Sequence, residues 1–136
     1  MQGVTVRTDL DRDARGFIFA TLAQSYGKHA GISNQSSFRA AVIAPVERAM
    51  ADGRLDVSLL VLDGSPDDYV GWSATCGDAL VYVYVKQAYR RRGFGRELLR
   101  DGLARAVYQT PAGVALERAR YGRPLRVAPY LLMEMD

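Results

Sequence analysis

Cysteine is almost missing from this chain: Cys76 is the only one in 136 residues. An internal disulfide and a multi-cysteine zinc site are both excluded. Histidine is equally scarce, with His29 alone, and only Lys28 and Lys86 are lysines. No apolar run reaches the length of a membrane-spanning helix, so no membrane partner is expected. Residues 1–5 lack a basic stretch followed by an apolar one, so no signal peptide is expected. Together these absences point to a reducing, cytoplasmic setting. Internal repeats, low-complexity tracts and long linkers are also lacking, and the length suits one domain over residues 1–136.

What is present is a hydrophobic fraction of 49% with 24% charged residues, an ordinary globular balance. The net charge of +3 is unevenly spread. Residues 86–105 hold seven basic residues against two acidic ones, a local +5, so the remainder sums to −2. A local excess suggests a defined anionic ligand more than a diffuse polyanion surface. Arginine supplies nearly all of it, and arginine suits bidentate contact with phosphate oxygens.

Periodicity predicts a short strand near residues 2–7. A helix follows, capped among Asp9, Asp11 and Asp13, with Phe17-Ile18, Thr21-Leu22 and Ser25-Tyr26 at helical spacing. A polar loop then leads to a helix from Ser36 or Ser37 carrying Phe38, Val42, Val46 and Met50, which Pro45 should kink or split. Residues 55–62, 69–75 and 79–86 read as an antiparallel meander, the last alternating strictly between valines and Tyr82 and Tyr84. A helix is expected after Gly93, a short strand at 106–109, a helix from Thr110-Pro111 to Gly122, and a final strand over 125–135 bent near Pro129. The order β-α-α-β-β-β-α-β-α-β makes an α/β (α+β layer) fold, a mixed and mostly antiparallel central sheet flanked by helices.

The most informative stretch runs from Val83 and Val85 into Arg90, Arg91, Arg92, Gly93, Phe94, Gly95 and Arg96. Gly93 and Gly95 carry no side chain where an anion would meet the backbone. Amides at a helix start, and its dipole, add favourable potential there. A diphosphate suits such a turn. A P-loop is excluded because no Lys-Ser or Lys-Thr follows the second glycine. A dinucleotide fingerprint is disfavoured because Leu98 stands where its third glycine would be.

Arg90-x-x-Gly93-x-Gly95 after a strand resembles the acyl-CoA signature of the GNAT superfamily of acyltransferases. Tyr89 before the arginine, Glu97-Leu98-Leu99 after the turn and the element order agree, so the resemblance covers most of the chain. The 13–18 and 25–26 stretches, with Pro129-Tyr130-Leu131-Leu132, also resemble small GNAT-like proteins of phages and prophages. The resemblance implies an N-acyltransferase that passes an acetyl group from acetyl-CoA, or another acyl-CoA, directly to a primary amine on a small molecule or protein. It implies that Val83 to Val85 pair with the pantetheine arm, and that Arg91 to Arg96 hold the pyrophosphate. It also places the acyl carbonyl where two central parallel strands splay apart, and the acceptor near Tyr26, His29, Asn34 and Gln35.

The catalytic groups are less defined. Asp78, at the mouth of the third meander strand, can be read as a general base or as a turn aspartate. The family's thiolate acid, a tyrosine four residues before the glycine closing the last helix, is Arg118 here. Tyr121, Tyr108 or Tyr130 would serve, or no side chain would. That departure motivates a second reading, a catalytically weak or inactive CoA-binding module with a protein-interaction role. A nucleic-acid binder is disfavoured because aromatic residues are not interleaved with the arginines. The chain ends one strand short of the usual GNAT sheet, from which a homodimer is expected.

Overall fold

The structure, a computed structural model, describes residues 3–27, 34–129 and 131–134. It contains β1 (Val4–Arg7), α1 (Arg12–Tyr26), α2 (Gln35–Phe38), a π turn (Arg39–Ile43), α3 (Ala44–Ala51), β2 (Asp56–Leu62), β3 (Ser65–Cys76) and β4 (Ala79–Val85). Two 3-10 turns follow (Gln87–Tyr89 and Phe94–Leu98), then β5 (Arg105–Ala106), α4 (Pro111–Tyr121), β6 (Arg126–Val127) and α5 (Leu131–Glu134). The six strands lie in sequence order in one mixed sheet. β1 to β4 pair antiparallel, whereas β4–β5 and β5–β6 are parallel. The fold is therefore mixed α/β with a mostly antiparallel sheet. No helix of the described residues is long and apolar enough to cross a membrane.

Local chemistry explains the main elements. Asp11 caps α1 by accepting from the Ala14 N–H at 2.8 Å, and Ala14, Ile18, Thr21 and Leu22 form its buried face. Thr110 caps α4 through the Gly113 N–H at 3.0 Å, ahead of Pro111, and Gly122 closes it at φ 79°. Pro45 does not split its helix. The Ala44 N–H reaches back to the Arg39 carbonyl, and this π register precedes the proline that could not donate.

Helices α1 to α3 and α5 pack on one sheet face, around Trp72, Tyr82 and Leu59. The Phe94–Leu98 turn and α4 cover the other, around Leu60, Leu80 and Val83. Two expected elements differ. The helix after Gly93 is only the 3-10 turn Phe94–Leu98, because Leu98 and Leu99 drop into the core and Gly102 turns the chain at φ 87°. The final strand shortens to Arg126–Val127, and after Pro129 the chain turns into α5.

Glu117 of α4 is buried, only 1% exposed. Its Oε1 accepts from Gln109 Nε2 at 2.8 Å and from the Leu125 N–H at 2.7 Å, tying α4 to the chain on both sides. Burial raises its carboxyl above the ordinary value of 4.5, and the two hydrogen bonds oppose this only in part. The folded state thus keeps a proton that the unfolded chain has already lost, so this residue's contribution to stability falls as pH rises from 4.5 through the raised folded value. Glu117→Gln should abolish that slope, measured as melting temperature against pH, while Glu117→Ala should cost about 2–5 kcal/mol by stranding two buried donors.

Candidate functional site

The site begins with an irregularity in β4. Ala74 faces Tyr82 but Thr75 faces Leu80, so Val81 is an extra residue, a β-bulge. The strict alternation expected for this strand breaks there, and Val81 and Tyr82 both join the α1-side core. β5 leaves β4 at the same place. Its last ties are Val107 N–H to the Leu80 carbonyl, 2.9 Å, and Tyr108 N–H to the Val81 carbonyl, 3.1 Å. Beyond it Lys86 N–H bonds the Val70 carbonyl at 2.8 Å. By the alternation of an antiparallel ladder, Val83 and Val85 then turn their backbone groups away from β3.

That outward edge borders a groove of about 800 Å³. Gln24 and Ser25 of α1, residues 82–85 of β4, and residues 110–113, 115, 116 and 119 of α4 and its cap line it. Gln87, Tyr89, Arg90, Arg91, Gly93, Gly95 and Arg96 complete the lining. Among the described residues three arginines and no carboxylate line it, so the groove favours an anion. Arg90 donates from Nε to the Val85 carbonyl at 2.8 Å and lies over the Tyr84 ring. Arg91 has φ 65°, a left-handed conformation that is costly for a non-glycine residue, and Gly93 follows at 80°. Such strain concentrates at functional turns. The dipole of a long helix plays no part here, since the following 3-10 turn has five residues.

Of the residues singled out from sequence, Val83, Val85, Arg90, Arg91, Gly93, Gly95 and Arg96 meet at this groove. Arg92 and Phe94 do not line it. Arg92 lies over the Tyr89 ring, and Phe94 packs on Tyr89 with centroids 6.3 Å apart. Asp78 is also off the groove. Its carboxylate takes Arg105 Nε at 3.0 Å and Nη2 at 2.6 Å, and its backbone carbonyl accepts the Ala104 N–H at 2.7 Å. Arg105 holds the carboxyl below its usual range, the wrong direction for a base working near neutral pH. Tyr121 is likewise turned away: its hydroxyl donates to the Arg100 carbonyl and its ring packs on the α4-side core.

No family model matches the chain, and searches of curated proteins and of solved structures found no match.

The expected acceptor residues divide. Tyr26 packs beside Phe38, Tyr82 and Tyr108, with a centroid separation of 5.1 Å from Tyr108, and is not a groove wall. Asn34 caps α2 by accepting from the Ser37 N–H at 2.8 Å, Gln35 is exposed beside it, and His29 lies outside the described residues, as does Tyr130. Gln24, Ser25 and Thr110 are among the groove residues that sequence reasoning missed. Ser25 Oγ lies 2.6 Å from the Tyr82 hydroxyl, and Thr110 lines the same groove. Burial pushes the Tyr82 phenol up to about 12, with hydrogen bonding acting against it, so it stays protonated at neutral pH.

Proposed function

We propose that this chain is a GNAT-type N-acyltransferase that binds acetyl-CoA, or a related acyl-CoA, and transfers the acyl group directly to a primary amine. One observation carries the reading: the edge of β4 at Val83 and Val85, which no described strand pairs and where Arg90 reaches the Val85 carbonyl, runs straight into a strained arginine-glycine turn along one groove. An extended amide-bearing chain can pair with such an edge as an added strand would. The turn then meets a diphosphate at the end of that chain with three arginines. Thioester, amide-rich arm and diphosphate occur in this order in acyl-CoA. The divergence of β5 from β4 leaves room for the thioester carbonyl beside Tyr82.

Calorimetric titration with acetyl-CoA tests the reading. Saturable binding with about one site per chain is expected, at micromolar affinity typical of enzyme substrates. Absence of heat at millimolar ligand would sink it. A second reading, a CoA-binding module with weak or no turnover, is favoured by one feature: among the described residues, the groove walls carry no carboxylate, histidine or cysteine. It predicts the same titration but no thiol release in the presence of amines.

A further inference from the structure

The carbonyl that ends the β4 edge is not bare. Val85 is the last residue of β4, and its backbone groups point away from β3. Arg90 reaches back across five residues and donates from Nε to the Val85 carbonyl at 2.8 Å. Its guanidinium lies 5.9 Å from the Tyr84 ring centroid. All three residues line the groove. Val85 is only 4% exposed, and a buried carbonyl left without a donor is costly, so this contact suits an empty groove. An added strand, however, spends its N–H groups on the outward carbonyls of the edge it joins. Arg90 therefore competes for the acceptor that an incoming arm needs where the edge meets the turn. It is an exposed residue and makes no ion pair with another described residue, so its side chain has room to leave and a charge to offer.

We propose that Arg90 is a specificity latch: it makes this edge select an amide-bearing thioester that ends in a diphosphate over the same arm without one. The inference rests on the acyl-CoA reading. A charged donor holds a carbonyl more strongly than a neutral amide does, so an arm alone displaces Arg90 at a net loss. A diphosphate reverses the balance. It offers the guanidinium paired anionic oxygens in the bidentate geometry that arginine matches, beside the Arg91 and Arg96 side chains of the same groove. The guanidinium moves to the anion, and the Val85 carbonyl passes to the arm. A ligand shifts such an equilibrium only by its differential affinity for the two positions, and the diphosphate supplies that difference. Arg90 thus couples recognition at one end of the ligand to strand pairing along the rest of it.

The test titrates the full chain, Arg90→Met and Arg96→Met with S-acetylpantetheine and with acetyl-CoA by calorimetry. Arg90→Met should bind S-acetylpantetheine about tenfold more tightly than the unaltered protein does, and acetyl-CoA no more tightly. Arg96→Met takes an equal charge from the same groove without uncovering the Val85 carbonyl, so its affinity for S-acetylpantetheine should not rise. An unchanged or lower S-acetylpantetheine affinity in Arg90→Met, or an equal gain in Arg96→Met, overturns the latch. Crystal structures of the unaltered protein give a readout that needs no variant. The contact from Arg90 Nε to the Val85 carbonyl should be present without ligand and broken with acetyl-CoA. A contact kept in the bound form makes Arg90 a fixed ligand of the phosphates and overturns the latch, leaving the acyl-CoA reading standing. Failure of the unaltered protein to bind acetyl-CoA removes that reading and the latch with it.

Discussion

Replacing Arg91 and Arg96 together by glutamine is expected to weaken acetyl-CoA binding by about a hundredfold or more. A hydrogen bond to a charged group contributes about 1.5–3 kcal/mol, and each 1.4 kcal/mol is a tenfold change in affinity. Local charge pairing decides which arginines matter. Arg100 faces Asp56 and Arg105 faces Asp78, so much of the basic excess near this turn is already neutralised. Arg91 and Arg96 line the groove and make no ion pair with another described residue. Their charge is thus available to a ligand, and the loss on substitution should shrink as salt screens it. Arg91→Gly separates charge from conformation. Glycine adopts φ 65° without the penalty of about 1–2 kcal/mol that a side chain incurs. Its melting temperature should rise while affinity falls by about tenfold. Loss of both would make Arg91 a structural residue rather than a ligand contact.

The turn was legible in the sequence because its parts are contiguous. Arginines and glycines within seven residues must lie close together whatever the fold does. The meander and the caps of α1 and α4 were legible for a similar reason, since periodicity and capping act over a few residues. The Val81 bulge was hidden. Valine-tyrosine alternation looks unbroken along β4, and the extra residue appears only against the register of β3. Glu117 was hidden too. Within Leu116-Glu117-Arg118 it reads as an ordinary exposed helix position, and only Gln109 and the Leu125 N–H show why it is buried. Ser25, Tyr82 and Thr110 come from α1, β4 and the cap of α4, so only packing brings them to one groove. Asp78 illustrates the converse case. A carboxylate at a strand mouth has chemical promise, but Arg105 occupies it. Contiguous motifs therefore located the arginine-glycine end of the groove, whereas its other end required the tertiary structure.

Gly71→Val is expected to cost about 4 kcal/mol or more, the largest stability loss of any single glycine substitution in the sheet. Gly71 lies in β3, opposite Val85 of β4 and Leu60 of β2. A Cβ there would sit 2.3 Å from the Tyr84 carbonyl oxygen and 3.1 Å from the Val85 Cα. Both are backbone atoms, so no side-chain rotation relieves the clash, and β3 and β4 must move apart. The displaced segment is the one that lines the groove at Tyr84 and Val85. Stability and ligand binding should therefore fall together, with a drop in melting temperature on the order of 15 °C. Gly64 provides the contrast. It has φ 77° but open space around its missing Cβ. Gly64→Ala should cost only the conformational penalty, about 1 kcal/mol, and leave binding intact. Thermal unfolding and titration of both variants separate the two causes: equal losses would mean that close strand approach at Gly71 is not what shapes this edge.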